Sequence, residues 1–320
     1  MISNICKKLL EEIKDFPPIY NDRLASHLSM VLVALDKLKA DESSLNNFYN
    51  IYSKKLKPEN CKFFYKEYEK SYISAKKYFK NEIQTIGIEK TIKNAINKYQ
   101  NSLGASAFHC LIRLSYAVES GLESEIINAL AFWKQEYHAF KLPPSSRLSI
   151  NEILEQIKPL KDELVLDNGI IIDKMLQIYN MDLAKNYSLQ PKDISFEILA
   201  SASLELFKQT NGFTILHCIT GCHALRNLRK YLDNEELALR HLFNAIIYAF
   251  LTRKHQAPDK SLKTNENVGW PEIINLVKNS KNDHQIKLVY SLYQEFNYYN
   301  NSEYLKVAQL VSLADWNSSF

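Results

Sequence analysis

Residues 21–40 read NDRLASHLSMVLVALDKLKA. Leu24, Leu28, Val31, Leu35 and Leu38 follow at steps of four and three, the spacing that lines side chains along one stripe of an α-helix. A half-buried strand would alternate apolar and polar residues at every second position, and this stretch does not. Asp22 stands where an N-cap oxygen would meet the first-turn amides. The spacing therefore predicts a helix that opens at Asp22 and buries its leucine face.

The same period recurs in both directions from there. Ala105, Ile112 and Tyr116 form a stripe in ASAFHCLIRLSYAVES, residues 105–120. After Pro143 and Pro144, Ser149 precedes Glu152 by three residues at the head of SINEILEQIKPL, a capping-box spacing. Residues 193–209 and 213–232 read as two helices joined at Thr210-Asn211-Gly212, with the glycine as terminator. Residues 234–254 form another amphipathic stretch, followed by the polar loop HQAPDKSLKTNENVG (255–269). Pro271 opens WPEIINLVKNS, and Asn282 or Asp283 caps KNDHQIKLVYSLY. Only VLDNGIIID (165–173) suggests a short strand or turn. No fixed-period repeat is present, and the expected fold is all-α: a single globular helical domain spanning residues 1–320.

Composition narrows the function. Of the 320 residues 46% are hydrophobic and 24% charged, the balance of a folded globular chain. The first residues, MISNICKKLLEEIKDF, are broken by Lys7, Lys8, Glu11 and Glu12, unlike the apolar core of a secretion signal. The longest apolar run, HLFNAIIYAFL, is too short to span a bilayer. A cytoplasmic protein with no membrane partner is expected. The net charge of +4 is interspersed rather than clustered, which argues against nucleic acid as partner. The five cysteines are scattered, with no CxxC pair, so free thiols are expected rather than disulfides or a thiolate zinc site. Only 7 glycines occur, none in a GxGxxG or GxxxxGK[ST] pattern. The backbone loops that cradle nucleotide phosphates need those glycines, so neither flavin nor NAD(P) is expected.

The histidines carry the remaining signal. His27, His109, His217 and His284 lie on apolar helical faces. One such histidine is ordinarily a hydrogen-bonded core residue, but four in one chain each need a partner when buried. Imidazoles are also common ligands of transition metals. His284 and Lys287 stand three apart and therefore share a helical face. A lysine on an apolar face either snorkels to solvent or is held inside for a chemical reason. His217 and His223 are six apart and point about 120° from each other on a regular helix.

Four segments in order resemble the questin oxidase-like family: SHLSMVLVALDKLKADESSLNNFYNIYSKKLKP (26–58), GASAFHCLIRLSYAVES (104–120), FTILHCITGCHALRNL (213–228) and WPEIINLVKNSKNDHQIKLVYSLY (270–293). That family includes fungal enzymes that open anthraquinone rings by oxygen insertion or carbon–carbon cleavage. Some members look like non-haem iron oxygenases whose metal is held by histidines and a carboxylated lysine. The resemblance implies a buried metal site made by His27, His109, His217, His284 and Lys287, with His223 as an alternative ligand to His284 or a supporting residue. It implies Fe(II) or another divalent metal, and carbon dioxide bound to Lys287 as a carbamate, since a desolvated lysine loses its proton readily. The substrates it implies are dioxygen and a small aromatic molecule, a phenol or quinol. Tyr116, Trp133 and Trp270 are candidates to line the pocket, and Arg113, one turn after His109, is a candidate catalytic residue that holds a phenolate or forms a structural ion pair. The chain is shorter than the fungal members, with trimmed loops, which leaves the aromatic substrate open. A metal-dependent hydrolase using the same ligands and a helical-repeat interaction module without metal are the rival readings. The oligomeric state has no signature in the sequence.

Overall fold

The computed structural model describes residues 1–21, 23–56, 65–181, 189–252 and 268–313. The first helices are α1 (Asn4–Glu12), α2 (Leu28–Lys37), α3 (Glu42–Tyr52), α4 (Tyr65–Ile86) and α5 (Ile88–Tyr99). Next come α6 (His109–Ser120), α7 (Glu123–Gln135), α8 (Ile150–Ile157), α9 (Leu160–Glu163) and α10 (Ile171–Asn180). The chain continues through α11 (Phe196–Thr210), α12 (Phe213–Asn227) and α13 (Glu235–Leu251). The last are α14 (Trp270–Lys278), α15 (Asp283–Tyr299) and α16 (Glu303–Leu313). The described residues are predominantly helical, as the periodicity requires. None of these helices is long and apolar enough to cross a membrane.

Contacts divide the described residues into two compact units. The first takes its residues from Met1–Ile88, Ile112–Gln135 and Lys260–Phe320. At its centre α2 is buried at every position from Leu28 to Asp36, as expected of LSMVLVALD, which has no charge before its ninth residue. Helices α1, α3 and α15 pack around α2, while α15 also meets α14 and α16, and α4 lies along α7. The second unit takes Glu89–Leu111 and Glu136–Asp259. Here α12 is buried from Thr214 to Leu225 and packs on α11 and α13, while α8 meets α11 and α10 meets α13. Each fully buried leucine or isoleucine in these centres contributes about 1.5–3 kcal/mol relative to exposure.

Several local predictions meet the structure directly. Ser149 and Glu152 form the capping box at α8, Pro271 lies in the first turn of α14, and Asn282 caps α15. The helix predicted from Asp22 starts at Leu28 instead; Asp22 itself lies outside the described residues. The chain before α2 folds back as a two-stranded antiparallel hairpin, β1 (Ile19–Tyr20) on β2 (Leu24–Ala25), and pairing takes Leu24 out of the helix. The stripe that began at Ala105 is likewise shortened, because α6 opens at His109. At Thr210-Asn211-Gly212 it is Asn211, at φ 43°, that takes the left-handed C-cap, and Gly212 is the N-cap of α12. The stretch 165–173 is no strand: residues 165–170 are irregular with a bend at Asn168, and residues 171–173 form the first turn of α10. The loop at 255–267 lies outside the described residues. Among those residues Cys6, Cys110, Cys218 and Cys222 are buried thiols, while Cys61 falls outside them.

Candidate metal centre

In the first unit the site grows from the start of α15. Asn282 Oδ1 accepts the backbone N–H groups of His284 and Gln285, each at 3.0 Å, which fixes the first turn and leaves the next residue's carboxylate for another task. Asp283 accepts from two imidazoles, His27 Nδ1 on Oδ2 at 2.9 Å and His284 Nδ1 on Oδ1 at 2.8 Å. The two rings lie 4.6 Å apart between centroids at an interplanar angle of 83°. His27 sits at the N-cap position of α2 without capping it through its side chain, and its backbone N–H donates to Tyr52 Oη at 3.0 Å. One turn along α15, Lys287 is only 1% exposed.

Burial governs the charges of this cluster. Burial first and Lys287 second lower His27 to about 3, with Asp283 opposing. Burial also lowers His284. Burial alone would raise Asp283, but His284 and His27 more than reverse it and hold the carboxyl well below its usual range. Lys287 is lowered to about 7 by burial, with Asp283 opposing. Near neutral pH the cluster thus contains an ionised carboxylate and two neutral imidazoles. An ionised carboxylate only accepts, so both Nδ1 atoms carry the hydrogen and both Nε2 atoms carry the lone pair. A carboxylate behind a histidine in this way is the usual outer support of a metal ligand.

In the second unit His109 opens α6 behind an unusual turn. Ser106, Ala107 and Phe108 have φ values of 47°, 53° and 68°, and each left-handed L-residue costs roughly 1–2 kcal/mol. The turn brings the Ser106 carbonyl under His109, where it accepts from Nδ1 and from the backbone N–H, the latter at 3.2 Å. On α12, His217 Nδ1 donates to the Phe213 carbonyl one turn back at 3.1 Å. The His109 and His217 rings are 4.8 Å apart at 65°. These two imidazoles also present Nδ1–H to an oxygen, which puts the lone pair on Nε2. His223 is arranged differently. Its Nε2 faces Asn227 Nδ2 at 3.2 Å, and burial followed by Arg226 lowers it to about 3.

A family model described as Questin oxidase-like matches residues 24–292. The chain belongs to the questin oxidase-like family. No curated protein matches it. The match contains every residue of both histidine clusters, and membership implies an oxidoreductase, with an oxidase or oxygenase acting on aromatic substrates as the activity the family suggests.

The remaining candidates of this questin oxidase-like chain have clear surroundings. Arg113 is buried in the first unit, with Nη2 4.0 Å from Glu125 Oε2 and its guanidinium 5.9 Å from the Phe132 ring centroid. That is the ion-pair arrangement, and a phenolate approaching Arg113 would compete with Glu125. Tyr116 is buried with its ring 5.7 Å from Tyr290, and Trp133 is fully buried. Trp270 packs on Tyr293 and Phe296, with ring centroids 5.0 and 5.4 Å away. Sequence reasoning passed over Asp283 as more than a cap. The available signal is an acid four residues before a lysine, on one helical face, with a histidine next to it in sequence.

Proposed function

We propose that this chain is a non-haem iron oxygenase of small aromatic molecules, in which His27, His109, His217, His284 and Lys287 hold Fe(II), as the family resemblance implies. The observation that carries the proposal is common to both units. Each of the four imidazoles turns Nδ1 to an oxygen acceptor, Asp283 for two, Ser106 for the third and Phe213 for the fourth, which is how metal-binding histidines are usually supported. Neutral imidazoles with lone pairs on Nε2 are suitable donors for iron and its neighbours. Bound iron would supply the redox chemistry between dioxygen and an electron-rich ring.

The chain's own residues have separable roles. Asp283 fixes the tautomer and direction of His27 and His284 together. Lys287, buried and lowered to about 7, presents a neutral amine to carbon dioxide. The amine lone pair would form a new N–C bond as one C=O π pair of carbon dioxide moves onto oxygen and one amine proton leaves to solvent, and the carbamate would supply an anionic oxygen where an ammonium would repel a dication. Burial of His27, His109, His217 and Lys287 keeps bulk water from these side chains, which strengthens their charge interactions. Arg113 holds the helix that starts at His109 through Glu125.

The test is anaerobic loading with Fe(II) in bicarbonate buffer, metal quantification, and oxygen uptake with a panel of phenols and quinols. Near-stoichiometric iron and quinol-dependent oxygen uptake are expected. Metal binding with hydrolysis but no oxygen uptake would replace the reading by a hydrolase, and no metal binding would leave the interaction-module reading.

A further inference from the structure

We propose that the left-handed turn Ser106–Phe108, seated by Phe108 against Gly221, is the device that positions His109 beside His217. The inference rests on the metal-site reading above and names the residues that hold one of its ligands in place. Three consecutive non-glycine residues at φ 47°, 53° and 68° do not persist unless their surroundings impose that conformation. The surroundings are tight on both sides of the turn. Before it, a Cβ on Gly104 would meet Ala245 Cβ at 2.8 Å and Met175 Cε at 3.1 Å, so only glycine lets the chain lie against α13 and α10. Within it, Phe108 is fully buried, and a Cβ on Gly221 would lie 3.3 Å from Phe108 Cδ1.

Gly221 stands one turn after His217 on α12, so one helix face carries both the seat for Phe108 and the imidazole that His109 meets. Phe108 is covalently next to His109, and any displacement of its ring must be taken up by the turn. The Ser106 carbonyl that accepts from His109 Nδ1 belongs to that same turn. Phe108 and Gly221 are therefore positioning residues: neither offers a ligand atom, and both set where the ligand atom of His109 lies.

The experiment compares wild type, Gly221→Ala, Phe108→Leu and the double variant as full chains. Two readouts are taken: affinity for Co(II) alone, and side-chain 15N signals of the histidines in metal-free protein, with His109 assigned through His109→Gln. In Gly221→Ala, affinity should fall about tenfold, at the low end for supporting residues of metal ligands. The His109 signals should shift while those of His223 stay in place. The double variant, which makes room for the new methyl, should recover wild-type affinity and the His109 signals. Unchanged affinity and unchanged His109 signals in Gly221→Ala would overturn the proposal. So would a loss that the double variant fails to rescue. If wild type binds no metal, the metal-site reading fails while the nitrogen signals still decide this inference. Should Gly221→Ala not fold, Phe108→Leu alone must shift His109, and an unshifted signal there refutes the idea.

Discussion

Asp283 holds two imidazoles with one carboxylate, 2.9 and 2.8 Å away, and that double duty makes it the most sensitive single residue of the first cluster. An asparagine can accept from only one Nδ1–H and turns an amide donor toward the other ring. One histidine must then move its hydrogen to Nε2 and stop being a donor ligand. Asp283→Asn is expected to weaken Co(II) or Fe(II) binding by about 10–100-fold, measured by competition with a chelator. Lys287 makes a second prediction through pH. In metal-free, carbon-dioxide-free protein it titrates at about 7 against an ordinary 10.5. Between those values the unfolded chain holds a proton that the folded chain does not, so stability rises with pH across that window, by several kcal/mol at about 1.4 per pKa unit. His27, at about 3 against an ordinary 6.5, adds a loss of stability as pH falls from 6.5 toward 3. Urea midpoints over pH 4–10 should show both slopes, and Lys287→Met should remove the alkaline one. A Lys287→Arg protein should fail to load iron, because guanidinium stays charged and forms no carbamate; wild-type iron content in that variant would exclude the carbamate.

At the scale of elements, what the sequence made visible was faces rather than ends. The stripe through Leu28, Val31 and Leu35 is the buried α2, and the i, i+3 pair His284 and Lys287 shares the first turns of α15. The helix expected from Asp22 and the stripe that includes Ala105 both become helical only later, because apolar spacing alone cannot distinguish a helix from a hairpin or a left-handed turn that keeps the same residues inside. The histidines of the site were visible for their own chemistry. Their supports were less so: Asp283 resembles a helix cap, and the acceptors at Ser106 and Phe213 are backbone carbonyls, which every residue has. Gly104 shows how the turn before α6 depends on packing. Gly104→Ala should destabilise the protein by about 1–3 kcal/mol, because the new methyl would fall 2.8 Å from Ala245 Cβ; calorimetry or urea melts would register it.

Over the whole molecule each unit is assembled from separate stretches of the chain, the first from Met1–Ile88, Ile112–Gln135 and Lys260–Phe320 and the second from Glu89–Leu111 and Glu136–Asp259, so neither unit is a contiguous segment. On that ground the chain is proposed to behave as one domain, and calorimetry should give a single transition; two resolved transitions would refute it. The proposed metal site makes the stronger demand, since it requires His27, His109, His217, His284 and Lys287, drawn from stretches far apart in sequence, all to act as ligands. An anomalous-difference map at the iron edge, from crystals loaded with Fe(II) and bicarbonate, tests this most directly. The account predicts one strong peak at about 2.0–2.2 Å from the imidazole nitrogens of His27, His109, His217 and His284, and, in the electron-density map of the same crystals, continuous density from Lys287 Nζ to a carbamate oxygen. A peak that lacks His109 and His217, or no peak with Lys287 unmodified, would contradict it.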